Sequence, residues 1–141
     1  MIHNHSQIQT AVRAIITDGE KRILIIKRAN TKFCEGWWNL PGGKIDFNQT
    51  AEKAVIREVK EETQLSCTST KFLFYMDNLP SEKYNTHFLT LFFFCECNGI
   101  VDLNRESAEF HWMSSDEMPS FQLAFSHDQA IMKFLDISQS G

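Results

Sequence analysis

Apolar and polar positions change rhythm several times along the chain, and each change predicts an element. Ile8 to Thr17 reads as a strand, and Asp18-Gly19 is a two-residue hairpin signal that predicts Arg22 to Arg28 as its partner. Ile23 to Ile26 is apolar on both faces. A loop from Ala29 to Gly36 leads to Trp37-Trp38-Asn39-Leu40 and the breaker Pro41-Gly42-Gly43. Thr50 to Thr63, rich in Ala, Glu and Lys, is the clearest helix. Ser66 to Asp77 predicts another strand, followed by a polar loop from Pro80 to Asn85. In Thr86 to Asn98 both alternating sets, His87/Leu89/Leu91/Phe93/Cys95 and Phe88/Thr90/Phe92/Phe94, are mostly apolar. Such a strand belongs in the middle of a sheet covered on both sides. Phe110 to Met113 is a short strand, Ser115 is expected to cap a turn ending at Pro119, and Ser126 to cap a last helix through Leu135. Strands and helices interleave irregularly, which predicts an α+β fold with a mixed sheet between helical layers.

Composition narrows the class. No repeat, low-complexity tract or charge block divides the 141 residues, so positions 1–141 read as one domain. Hydrophobic residues at 43% and charged residues at 23% exclude disordered and fibrous classes. The net charge of −4 provides no basic face for duplex DNA or an anionic membrane, so neither a nucleic-acid polymer nor a membrane is expected as partner. Cys34, Cys67, Cys95 and Cys97 lack zinc-type spacing and read as reduced, partly buried thiols. Met1 to Thr10 has neither a cationic nor an apolar leader region, and the longest apolar run, Phe88 to Cys95, is too short to span a bilayer. A soluble cytoplasmic protein is expected.

The chemistry concentrates in the helix. Glu58 and Glu62 lie four apart and Glu61 three from Glu58, so all three project within about 100° of arc. Like charges about 5 Å apart repel by roughly 3 kcal/mol per pair at an effective dielectric near 20. An acidic surface helix offset by Lys53, Arg57 and Lys60 is one reading; a site for a hard cation is the other. Oxygen ligands without His or Cys favour Mg2+, with Mn2+ as a substitute, over zinc. The double glycine at Gly42-Gly43, seven residues before the helix, lets backbone approach a ligand closely.

Gly43 to Leu65 resembles the 23-residue Nudix box, G-x5-E-x7-R-E-U-x-E-E-x-G-U. Gly43, Arg57, Glu58, Val59, Glu61, Glu62 and Leu65 match it, as does the lead-in Leu40-Pro41-Gly42-Gly43. Gln49 stands where the pattern has Glu, and Gln64 where it has Gly. The resemblance implies the Nudix fold, an α/β/α sandwich around a central mixed β-sheet. It implies Glu58 and Glu62 as metal ligands, Glu61 as a further ligand or a base, and Arg57 as the group that orients them. The Gly42 carbonyl joins the metal shell in relatives. Glu106, six residues before Trp112, resembles the distal glutamate that some Nudix enzymes bring from a loop, with Glu109 as runner-up. Gln49 is expected to weaken metal affinity without abolishing activity, and Gln64 to cost stability if left-handed.

The implied reaction is Mg2+-dependent hydrolysis of a pyrophosphate bond in a nucleotide, by a monomer or homodimer. Trp38-Asn39 and the run Tyr84 to Leu91 resemble enzymes that cleave nucleoside triphosphates to the monophosphate and pyrophosphate. Pro80, 15 residues beyond Leu65, matches a spacing of ADP-ribose hydrolases, so ADP-ribose or a nucleotide sugar is the alternative substrate. A nucleotide-binding module without activity is a third reading. Trp38, Asn39, Gly43 and Phe47 are the candidate substrate residues; Phe33, Phe74 and Tyr75 are further aromatics able to stack on a base or fill the core. The histidines His3, His5, His87, His111 and His127 are scattered and read as structural or exposed.

Overall fold

A computed structural model describes residues 7–30, 34–82 and 85–140. In chain order the elements are β1 (Ile8–Ile15), β2 (Ile23–Arg28), β3 (Trp38–Asn39), β4 (Gly42–Lys44), α1 (Ala51–Thr63), β5 (Ser66–Asn78), β6 (His87–Asn98), β7 (Ser107–Met113), a 3-10 helix (Ser115–Ser120) and α2 (His127–Ser140). They form a four-stranded mixed sheet, β4-β1-β6-β5, and a three-stranded antiparallel sheet, β3-β2-β7. The expected strand between two neighbours is β6, parallel to β1 on one side and antiparallel to β5 on the other.

Its two apolar faces feed two separate cores. Phe93 and Cys95 join Val12, Ala14, Ile16 and Leu24 beneath Ala54, Val55 and Val59 of α1. Phe92 joins Ile15, Ile25, Phe74 and Met113 beneath Ala130, Ile131 and Phe134 of α2. One helix therefore covers each face of the sheet layer, and the expected α/β/α arrangement holds. Each fully buried Val, Leu or Phe contributes about 1.5–3 kcal/mol, so neither helix can leave its face cheaply.

The hairpin expectation needs correction. Asp18 does close a tight turn: its carboxylate accepts the Glu20 and Arg22 amides, each at 2.9 Å, and its Oδ2 takes Arg22 Nε at 2.8 Å. Yet β1 and β2 then diverge into different sheets, and pairing stays near the turn, in the Asp18 amide on the Arg22 carbonyl at 3.0 Å, the Thr17–Ile23 bridge and the Leu24 amide on the Ile16 carbonyl at 2.9 Å. The turn fixes direction over four residues, while strand partners are chosen by the apolar surface each strand must bury. Pro41-Gly42-Gly43 is likewise not a simple breaker, because Gly42–Lys44 pairs with Ala11 to Arg13 as an edge strand.

Cap positions differ by small steps. Thr50 caps α1, its Oγ1 accepting the Lys53 amide at 3.2 Å. Ser114, not Ser115, is the N-cap of the 3-10 helix, where Glu117 Oε1 takes the Ser114 amide at 2.9 Å. The last helix runs to Ser140, and Ser126 before it is left-handed, with its carbonyl receiving the Gln129 and Ala130 amides at 3.0 and 3.2 Å. Among the described residues no helix is long and apolar enough to cross a membrane.

Gln64 ends α1 at φ 66°, the left-handed geometry that glycine adopts without a Cβ penalty. Gln64→Gly should therefore raise the free energy of unfolding by about 1 kcal/mol, read as a higher urea midpoint at unchanged m-value. An equal or lower midpoint would show that the side chain of Gln64 contributes more than its backbone costs.

Candidate active site

The site grows from the contact between β4 and α1. A Cβ on Gly43 would stand 2.6–2.8 Å from the Glu58 carboxylate, and one on Gly42 would collide with the Val12 carbonyl and Arg13. With no side chain in the way, the Gly42 amide reaches Glu62 Oε1 at 3.1 Å. Glu62 is 7% exposed, and burial pushes its carboxyl up to about 8. Arg13 opposes that rise, while the nearby charge of Glu58 adds to it. Arg13 donates to the Leu40 carbonyl at 2.9 Å, and burial lowers its guanidinium to about 10, still charged at neutral pH.

Arg57 organises the outer carboxylates. It lies 3.0 Å from Glu58, 3.1 Å from Glu61 and 3.3 Å from Asp46. It also donates to Gln49 Oε1 at 3.3 Å, so the neutral Gln49 keeps the supporting contact expected of a first-turn polar group. Glu61 is half-exposed and drawn to the outer side by Arg57. Among the described residues no three carboxylate, imidazole or thiol groups converge closely enough to hold an ion as they stand. The donor set nevertheless suits a hard divalent cation: Glu58 lies near enough for its charge to raise the buried Glu62, a repulsion that a cation would relieve.

Across the β4 edge lies a cleft of about 60 Å³ lined by Arg13, Ile26, Arg28, Asn39, Gly42, Glu62, Glu106 and Ser107. Glu106 also borders an open depression of about 500 Å³ formed by residues Leu103 to Glu106. The structure thus brings Asn39 and Gly42 of the β3–β4 segment, Glu62 of α1 and Glu106 before β7 together from three separate parts of the chain. Asn39 is 2% exposed, and its Oδ1 meets no hydrogen-bond partner, the kind of buried acceptor that a ligand donor would satisfy.

Other expected residues sit elsewhere. Trp38 packs edge-on against Phe121 at 5.1 Å and borders the core under α2, because its neighbour Asn39 takes the cleft-facing side of the short strand. Phe47 is fully exposed on the loop before α1 and is not among the residues that line this cleft. Phe74 is core and Tyr75 is exposed on β5. Glu109 pairs with Lys27 at 3.3 Å, away from the cleft lining. Phe33, Tyr84, His3 and His5 lie outside the described residues. Sequence reasoning missed Arg13 and Arg28, whose guanidinium carbons sit 5.5 and 4.8 Å from the Phe125 ring centre. A charged residue inside an apolar strand was the available signal for Arg13.

His127 holds this region from below. Its Nδ1 accepts the Leu40 amide at 3.0 Å, and burial, with Arg13 and Arg28 adding repulsion, keeps the ring neutral well below its ordinary range.

The NUDIX domain family profile matches residues 7–134. An ADP-ribose pyrophosphatase of Methanocaldococcus jannaschii is 31% identical over 127 residues, covering 86% of this chain and 73% of that protein. An 8-oxo-dGTP diphosphatase of Proteus vulgaris is 32% identical over 80 residues, 57% of this chain and 68% of that protein. The chain spans about half the length of some longer curated relatives. A MutT protein of Methanosarcina mazei Go1 shares the fold at TM-score 0.85 and 21% identity, over 96% of this chain and 99% of that one. The chain belongs to the NUDIX family and is a Nudix hydrolase.

The two titrating groups at this site act on stability with opposite sign. The unfolded chain takes up a proton on His127 below about 6.5 and the folded one does not, so stability falls as pH drops below that value. Glu62, raised when folded, binds the extra proton in the folded state and loses stability as pH rises from 4.5 toward 8. His127→Asn keeps an acceptor near the Nδ1 position without titrating. Its urea midpoint should fall less than that of the parent between pH 7 and 5.5, the difference approaching about 1.4 kcal/mol per pH unit. Parallel midpoints in the two proteins would mean that His127 is not held neutral.

Proposed function

We propose that this Nudix hydrolase cleaves a nucleoside triphosphate to the monophosphate and pyrophosphate, with Mg2+ or Mn2+ held by Glu58, Glu62 and Glu106 and the Gly42 carbonyl. The observation that carries the substrate reading is the buried, unpartnered Asn39 Oδ1 in the wall of the cleft beside Gly42, Glu62 and Glu106. An acceptor so placed is suited to a donor on the edge of a base.

The chain's own groups divide the work. Arg28 and Arg13 supply positive charge at the cleft for a polyanionic phosphate chain, with Phe125 beneath both guanidiniums. Arg57 fixes the rotamers of Glu58 and Glu61, which keeps an acidic surface from collapsing or scattering. Glu106 and Glu62 line the same cleft, and Glu58, Glu61 and Glu106 are the carboxylates available to take a proton from attacking water. A bound divalent cation neutralises phosphate charge and lowers the pKa of a coordinated water.

ADP-ribose is the second substrate reading. It is favoured by the spacing of Pro80 and by the name of the Methanocaldococcus jannaschii relative, which matches most of this chain.

Two experiments test the proposal. Glu62→Gln keeps shape and removes charge, so kcat should fall about 10²-fold or more. The rise in melting temperature that Mg2+, and more so Mn2+, gives the parent should shrink with it. Near-parent turnover across a Mg2+ titration would remove Glu62 from the site. For the base, Asn39→Ala should lower kcat/KM for the preferred triphosphate and flatten the ranking among bases, at about 1–3 kcal/mol of lost discrimination. The four triphosphates and ADP-ribose form the panel. An unchanged ranking, or ADP-ribose best throughout, would reassign the pocket.

A further inference from the structure

Three of the four thiols meet outside the cleft. Cys67 of β5 stands directly opposite Cys97 of β6 in the antiparallel register, with the two sulfurs 3.3 Å apart. Cys95 lies two residues along the same face of β6, fully buried, while Cys67 and Cys97 are each half-buried. Residues directly opposite in an antiparallel pair have Cα atoms about 4.5–5.5 Å apart, inside the span of about 4.4–6.8 Å that a disulfide bridges. Closing from contact to a bond of about 2.05 Å therefore asks for side-chain rotation, not strand movement. The register shift between Cys67 and Ser69 adds local slack at this end of the sheet.

We propose that Cys67 and Cys97 are a redox modification site, forming a reversible intramolecular disulfide when a hydroperoxide reaches the protein. Hydrogen bonding with the neighbouring thiols pulls Cys67 down, against burial, and holds Cys95 and Cys97 up. Cys67, on the edge strand β5, is the attacking thiolate, and Cys97, facing it from the inner strand β6, is the resolving thiol. The Cys67 sulfur attacks one peroxide oxygen, the O–O bond breaks, and the released hydroxide takes a proton and leaves as water, or as an alcohol from an alkyl peroxide. Cys67 is then a sulfenic acid. The Cys97 sulfur attacks it, the S–O bond breaks as the S–S bond forms, and the Cys97 proton leaves with the hydroxyl as water. Two thiols have lost two electrons and two protons, and the peroxide has been reduced by the same two electrons. The residues joined are 30 apart in sequence, and they bracket the ends of β5 and β6 beside the C-terminus of α1.

The test uses the full chain carrying Cys34→Ser, which removes the one cysteine outside the group, titrated with hydrogen peroxide under native conditions and mapped by mass spectrometry. The expected product is a monomer lighter by about 2 Da with a Cys67–Cys97-linked peptide, returned to the starting mass by dithiothreitol. Adding Cys97→Ser should leave a sulfenic acid on Cys67 that dimedone traps, and adding Cys67→Ser should slow peroxide consumption at least tenfold. A link through Cys95, cross-linking only between molecules, or over-oxidation without any link would overturn the proposal. The map of the Cys34→Ser protein alone decides this even if the strand variants fail to fold.

Discussion

At the β4 edge of the larger sheet two strands and a helix approach more closely than side chains allow, and Gly42 and Gly43 make that approach possible. Any Cβ at these positions would enter the Val12 carbonyl, Arg13 or the Glu58 carboxylate. Because none is there, β4 pairs with β1 on one edge while α1 lies against its face. The Gly42 amide then becomes the hydrogen-bond donor that a buried Glu62 needs. Removing that closeness would separate the carboxylates of α1 from the residues that reach them from β1, β3 and the loop before β7.

An acidic cluster placed on such a contact requires balancing charge. The chain provides it with two arginines of different character. Arg57 stays near the surface and spreads its donors over Glu58, Glu61, Asp46 and Gln49. Its ion pairs with the more exposed partners are each worth little singly, but together they fix geometry. Arg13 is inside, tied to the Leu40 carbonyl and facing Glu62, where desolvation weakens the charged form of both groups. His127 supports the same segment through the Leu40 amide, remaining neutral because a third positive charge beside Arg13 and Arg28 would be unfavourable.

The candidate site sits where the two sheets meet. The smaller sheet carries Asn39, Arg28 and the strand that follows Glu106, while the larger one and α1 carry Arg13, Gly42 and Glu62. Neither sheet alone has a site. The thiol group lies at the other kind of place, within a single strand pair of the larger sheet, so its chemistry depends on register and not on the meeting of the sheets.

Local rules in the sequence determined the helix Thr50 to Thr63, the doubly apolar strand, the helical layers and the carboxylate face of α1. Each follows from periodicity or propensity over a dozen residues, a range in which side-chain direction is fixed by backbone geometry alone. The left-handed end at Gln64 was legible from the motif it interrupts. Tertiary structure alone decided that β1 and β2 part into different sheets, since a turn sets direction but burial chooses partners. It alone separated Trp38 from Asn39, turning one ring to the core and one amide to the cleft, and it left Phe47 in solvent. The parts played by Arg28 and His127 became visible only when segments far apart in sequence were laid together. Burial and electrostatic neighbours are properties of packed surfaces, and no spacing along a single strand contains them.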